Sequence, residues 1–322
     1  MKNNKFKFQQ FWDKYSTGAI VALMVLVFGI LEPSSFLKFD NLIKITEQSS
    51  ITILLACGEF FAILLAGIDL SVGSVMALSG VVTAKFLVAG FHPVIAVLLG
   101  VVVLGALLGA LNGALVNVTG LPPFIITLGT QLVFRGVTMI ASNRQAVAGV
   151  PGAYSRFIAG HTLFIIPNPF IIAALAAAVL TFFSLKTKAG RNIYAIGGNA
   201  QAAWFAGINI KVHTLLAFII SGICSSLAGM VNVARLSAAE PNAGTGYETY
   251  AIAAVIIGGT SFFGGQGVIP KVVVGGIIIG VINNGLNMIG LSSFYQQIAM
   301  GSMIIIAVTL DRFFGASSKM AK

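Results

Sequence analysis

Residues 51–90 read ITILLACGEFFAILLAGIDLSVGSVMALSGVVTAKFLVAG. A membrane-spanning helix needs about 20 mostly apolar residues. Two such runs lie here, over 48–66 and 70–90, and between Ile51 and Gly90 only Glu59, Asp69 and Lys85 are charged. At their junction stands Gly67-Ile68-Asp69-Leu70-Ser71-Val72-Gly73. The stretch therefore reads as two spanning helices separated by a tight, glycine-flanked break, with Asp69 near the cytoplasmic face as a cap for the following helix or as a gate.

The pattern continues outward in both directions. Further spans are expected at 17–36, 94–116, 124–142, 163–185, 213–235, 247–263, 268–289 and 294–311, which makes about ten transmembrane helices in one domain, 1–322. Composition agrees with an all-α integral membrane protein: of 322 residues, 57% are hydrophobic and 9% charged, and the mean hydropathy is +0.97. Soluble domains carry roughly 25% charged residues, so lipid must be the solvent for much of this surface. The net charge of +10 would suit nucleic acid in a soluble protein. Here the basic residues gather at the two termini and in one central loop, which is what membrane topology requires. Lys2, Lys5, Lys7 and Lys14 precede the apolar run 18–31, which lacks a cleavage site and is read as a retained first helix. A cytoplasmic N-terminus puts 12 of the 19 basic residues inside, and an even helix number returns Arg312, Lys319 and Lys322 to that side.

The longest inside loop, 186–212, reads KTKAGRNIYAIGGNAQAAWFAGINIKV. A short helix from Ala200 to Ala206 is expected between Gly197-Gly198-Asn199 and Gly207. With Gly190 and Arg191 these residues form either an ordinary connection or the grip on a cytoplasmic motor. There is also an internal repeat. Gly105, Gly109 and Asn112 match Gly276, Gly280 and Asn283 at an offset of 171, and each copy follows a glycine-rich break. The first break holds Gly67, Asp69, Ser71 and Gly73, and the second holds Gly259, Thr260 and Gly264. Duplicated halves with broken helices, here about 48–142 and 247–311, are a common transporter plan with the solute path between the halves.

Polar side chains inside the spans are the candidate path. An ionisable residue at membrane depth costs at least ~2.5 kcal/mol, so Glu59 either lines a path or is a protonated, hydrogen-bonded structural residue. Asn112, Asn117, Asn283, Asn284, Asn287, Thr127, Thr130 and Gln131 could bond a sugar's hydroxyls or equally tie helices together. Arg135 and Arg235, near helix ends, are explained by snorkelling. Cys57 and Cys224 lie in apolar runs and read as packed hydrophobes. No G-x-x-x-x-G-K-[ST] occurs, so ATP hydrolysis is expected on another polypeptide. His92, His161 and His213 are far apart and form no metal-ligand pattern, and no catalytic grouping or cofactor motif stands out.

Five segments carry a resemblance over nearly the whole chain: GIDLSVGS at 67–74, PFIITLGT at 123–130, GRNIYAIGGNAQAAWFAGINI at 190–210, ARLSAAEPNAGTGYE at 234–248 and IAAVIIGGTSFFGGQG at 252–267. Together they resemble permease subunits of bacterial ATP-binding-cassette sugar importers of the ribose/xylose/galactose group. Residues 46–73 and ETYAIA at 248–253 look most like the D-allose branch, with ribose next. The resemblance implies a homodimer of permeases in the bacterial inner membrane, a cytoplasmic ATPase docking on loop 190–210, and a periplasmic sugar-binding protein. The competing expectation is an ion-coupled secondary sugar transporter built on Glu59 and Asp69.

Overall fold

The computed structural model describes residues 18–162 and 165–319, and these are mostly helical. The N-terminal lysines and Lys322 lie outside the described residues. In chain order the helices are α1 (Gly18–Leu31), α2 (Phe39–Leu64), α3 (Val72–Val88), α4 (Pro93–Val97), a π-helical turn (Leu98–Val103), α5 (Leu104–Thr119), α6 (Pro123–Ala141), α7 (Gly152–Ala159), α8 (Asn168–Lys186), α9 (Lys188–Gly198), α10 (Ala200–Phe205), α11 (Ile210–Leu236), α12 (Tyr247–Ile257), α13 (Ile269–Met288) and α14 (Ser293–Lys319). One two-stranded ribbon pairs His161–Thr162 with Ile166–Pro167. Proline opens α4, α6, α8 and α13 within their first two positions, where its missing N–H costs nothing.

Among the described residues six helices are long and apolar enough to cross a membrane, α4 to α5 counting as one, Pro93–Thr119. Four expected spans fall instead on shorter apolar helices: Gly18–Leu31, Val72–Val88, Tyr247–Ile257 and Phe294–Ile306. The expected span 247–263 stops at Ile257, because Gly258 ends the helix and Gly259 (φ +80°) turns the chain away.

α2 is the central helix. Every residue from Ser49 to Leu64 is buried, beneath α8, α11, α12 and α13. α6 and α8 are peripheral: α6 buries one edge, Thr127, Thr130, Phe134 and Thr138, and exposes Leu132 and Ile140. Two packings mirror each other. α5 lies on α11 with Gly109 against the Phe218 carbonyl, and α13 lies on α2 with Gly276 against Ile53 and Gly280 against Ser49. Glycine allows this approach because a Cβ at Gly109 would overlap the Phe218 carbonyl oxygen.

Candidate functional site

The break after α2 is not a surface turn. Ala66 takes a left-handed conformation (φ +57°), the Gly67 N–H returns to the Ala62 carbonyl (2.9 Å), and residues 68–71 fold back into the bundle. Irregular backbone at membrane depth survives only if its polar groups are satisfied by protein. Here the side chains do so. Glu59 accepts the Asp69 N–H (3.0 Å). Thr127 accepts the Leu70 N–H (3.1 Å), and its hydroxyl lies 3.0 Å from the Ile68 carbonyl that it can donate to. One oxygen of Asp69 accepts the Ser71 N–H (3.0 Å) and hydroxyl (2.6 Å), and the other accepts the Ser221 hydroxyl from the middle of α11 (2.7 Å). Asn112 on α5 donates to the Ser71 oxygen (2.8 Å). Glu59, Ser71, Asn112, Thr127 and Ser221 are fully buried, and Asp69 nearly so.

Two expectations change. Asp69 is not on an exposed turn but buried between α2 and α11, bonded to Glu59 on the one and Ser221 on the other. It accepts a backbone N–H just ahead of it, as a cap does, yet its second oxygen ties the break to another helix. Glu59, Asn112 and Thr127 do not line an open path in this conformation, since their side chains hold the break in place. Glu59 keeps one oxygen, and Asn112 its carbonyl oxygen, without a partner among the described residues.

A second break, 237–246, enters from the opposite end and meets the first. Gly73 at the start of α3 touches Gly244 (φ +73°) backbone to backbone, and a Cβ on either would overlap the other's carbonyl oxygen. Gln131 on α6 donates to Glu248 in the first turn of α12 (3.2 Å). One guanidinium nitrogen of Arg135 donates to the Pro241 and Ala243 carbonyls (2.8 Å each). Arg235 pairs with Glu47 (2.8 Å). Beyond the snorkelling expected of them, both arginines have specific partners on other elements. Hydrogen bonds to a charged donor contribute about 1.5–3 kcal/mol each. Arg135→Ala is expected to raise amide hydrogen exchange across 240–246 by tenfold or more, as about 1.4 kcal/mol of lost holding would, while the rest of α6 exchanges as before. Unchanged exchange would show that the arginine does not hold the loop.

The remaining amides mostly join helices. Asn284 exchanges two 3.0 Å bonds with Asn41 on α2, and Asn117 donates to the Lys211 carbonyl (2.8 Å). Asn283 is partly exposed on α13, with its carbonyl oxygen unpaired among the described residues. Thr130 donates to its own helix. Thr260 is buried against Gly267. Ser221 and Glu248 were missed from the sequence: Ser221 sits in the small-residue run SGICSS without a distinguishing spacing, and Glu248 stands at the edge of a polar loop.

The loop 186–212 forms two short helices. Thr187 caps α9 by accepting the Gly190 N–H (3.0 Å), Asn199 caps α10 by accepting the Ala202 N–H (2.9 Å), and Gly207 (φ +79°) ends the turn that follows. Gly190 packs on the Phe183 and Ser184 carbonyls, and Arg191 donates to the Lys186 carbonyl (3.2 Å). On α10, Trp204 and Phe205 are 63% and 72% exposed, although both are large apolar side chains.

Many apolar helices around a buried pair of chain breaks describe a multi-pass membrane protein. The motifs carried by those breaks place it further: the chain belongs to the branched-chain amino acid transport system / permease component family, whose model matches residues 41–308. It is 54% identical to the D-allose transport system permease protein AlsC of Escherichia coli K12, over 95% of this chain and 94% of that one. It is 43% identical to the ribose import permease protein RbsC of Bacillus subtilis 168, over 90% of each. It is 35% identical to the galactose/methyl galactoside import permease protein MglC of E. coli K12, over 93% of this chain and 94% of that one. No solved structure matches.

Proposed function

We propose that this chain is the membrane subunit of an ATP-binding-cassette importer that carries a monosaccharide, D-allose first and ribose next, across the bacterial inner membrane. The observation that carries this reading is the 54% identity to a D-allose permease along nearly the full length of both chains. Two copies form the channel, a separate cytoplasmic ATPase docks on loop 186–212, and a periplasmic binding protein delivers the sugar. Both termini are cytoplasmic. The exposed Trp204 and Phe205 on α10 support the docking role, since aromatic anchors are enriched at protein interfaces.

The chain consists of two inverted repeats. The offset of 171 that relates Gly105, Gly109 and Asn112 to Gly276, Gly280 and Asn283 also relates Gly73 to Gly244, the two glycines in contact. It relates the start of α2 at Phe39 to that of α11 at Ile210. Each repeat's α5-like helix packs on the other repeat's first long helix. On this reading the repeats run over 39–141 and 210–319: the first starts at the N-terminus of α2 rather than at 48, and the second takes in α11, which lies ahead of the 247–311 expected from sequence. Transport follows by alternating access, with the two repeats rearranging about the Gly73–Gly244 crossing.

The test is uptake into proteoliposomes containing this protein and its ATPase, with ATP inside and loaded binding protein outside. Uptake requiring both, and faster for D-allose than for ribose, is expected. Uptake indifferent to ATP but collapsed by an ionophore would replace this reading with ion-coupled transport through Glu59 and Asp69. Ribose transported faster than D-allose would overturn the substrate alone.

A further inference from the structure

The segment leading into α10 does not merely lie beside the bundle: its backbone is locked to the ends of two other elements. Gly197, near the end of α9, packs on the carbonyl of Leu64, the last residue of α2, so closely that a Cβ there would overlap the oxygen. The same Leu64 carbonyl accepts the Gly265 N–H (2.9 Å) from the 258–268 turn after α12. A Cβ at Gly197 would also stand 2.7 Å from the Gly265 nitrogen, and one at Gly265 would stand 2.6 Å from the Gly198 nitrogen. Gly264 closes the set, since a Cβ there would lie 2.9 Å from the Ala66 nitrogen and 3.0 Å from the Gly197 oxygen. One further strut runs alongside: the Tyr194 hydroxyl on α9 donates to the Gly267 carbonyl (2.9 Å).

Three chain segments therefore meet backbone to backbone, with no side chain between them to absorb a displacement. Each leads somewhere that matters. From Gly197 the chain passes through the Asn199 cap into α10. From Leu64 it passes through Ala66 and Gly67 into the folded-back Asp69 segment. From Gly265 it passes back through the turn to α12, whose first turn carries Glu248 beside Gly73. Packed interfaces of this kind switch between discrete arrangements rather than deform continuously.

We propose that the Gly197–Leu64–Gly265 contact is the joint through which displacement of α10 reaches both repeats at once, with Gly197 and Gly265 as positioning residues of the transport cycle. This rests on the reading of loop 186–212 as the ATPase dock. A shift of α10 pulls on α9, and α9 moves the end of α2 and the turn after α12 together. The Asp69 break and α12 then respond in concert, one in each repeat. Side chains at the joint would loosen this linkage, which is why glycine occupies it from both sides.

The experiment uses the assembled transporter in proteoliposomes and reads three quantities for Gly197→Ala: ATPase subunit retained on purification, ATP hydrolysis with and without loaded binding protein, and sugar imported per ATP hydrolysed. The ATPase is expected to remain bound and basal hydrolysis to continue. Stimulation by the binding protein is expected to disappear, and sugar per ATP to fall about tenfold, as substitutions along a coupling route do. Sugar per ATP equal to wild type would overturn the proposal. Loss of the ATPase from the complex would also overturn it, because the glycine would then serve docking rather than transmission. If Gly197→Ala fails to reach the membrane, Tyr194→Phe decides: it keeps the ring and removes the hydroxyl that bonds Gly267 and Ser184, and sugar per ATP is expected to drop about threefold with the ATPase retained. An unchanged ratio in that variant overturns the joint. Wild-type uptake that ignores ATP would instead sink the importer reading, a result separable from either of these.

Discussion

Gly73→Ala is expected to bring D-allose uptake to background while the protein still reaches the membrane. The added Cβ would land on the Gly244 carbonyl oxygen and 2.9 Å from the Glu248 carboxylate. Neither neighbour can retreat easily, because Gly244 is backbone and Glu248 is held by Gln131. Overpacking of a tight contact typically costs 1–3 kcal/mol, roughly one methyl's worth here. That leaves an apolar bundle folded but forces the start of α3 and the segment leading into α12 apart where Gly73 meets Gly244. Gly244→Ala should be at least as damaging, since its left-handed backbone (φ +73°) adds about 1–2 kcal/mol for a residue with a Cβ. Uptake normalised to inserted protein is the measurement. Normal uptake from both variants would show that the crossing can open without penalty and is not a fulcrum.

Asp69→Ala acts on stability as well as transport. It strands three buried donors: the Ser71 N–H, the Ser71 hydroxyl and the Ser221 hydroxyl. A buried donor left unpaired costs about 1–3 kcal/mol, although serine hydroxyls can turn back to their own helix. The expected result is a lower melting temperature in detergent and uptake reduced by at least about tenfold, since 1.4 kcal/mol is already a factor of ten. Asp69→Asn should recover much of the stability, because its amide keeps one acceptor for Ser71 and its NH2 can donate to the Ser221 oxygen. Equal melting temperatures for Asp69→Ala and wild type would mean that the break is held by the glycines and Thr127 alone. If Asp69→Asn recovered stability but not uptake, the carboxylate would have a further role in transport.

Some of the site was legible and some was not. The break at 67–73 was visible because glycines and polar residues interrupt an apolar run, and the glycine-rich 258–267 turn was visible for the same reason. The helix at α10 was visible because Asn199 stands where a cap belongs and Gly207 where a stop belongs. Where Asp69 lies was not legible. A turn between two spans is expected at a membrane face, and only the bonds from Ser221 and Asn112 on distant helices show that this one folds inward. Glu59 had two readings, and the group it bonds, the Asp69 N–H ten residues along the chain, was not legible either. The two matched asparagines diverge: Asn112 supports the break, whereas Asn283 is partly exposed and its neighbour Asn284 clasps α2.

By itself the sequence determined where the apolar runs fall, that lipid surrounds them, and to which family the chain belongs. Those properties add up residue by residue along the chain, or reside in short local motifs. Tertiary structure decided which helix is innermost, which polar groups meet, and that Gly73 finds Gly244 and Gly197 finds Leu64 and Gly265. The reason is physical. Lipid tails and a protein interior are almost equally apolar, so hydropathy distinguishes membrane from water but not the central α2 from the peripheral α8. Close approach between glycines depends on where two helices cross, and no single segment carries that information.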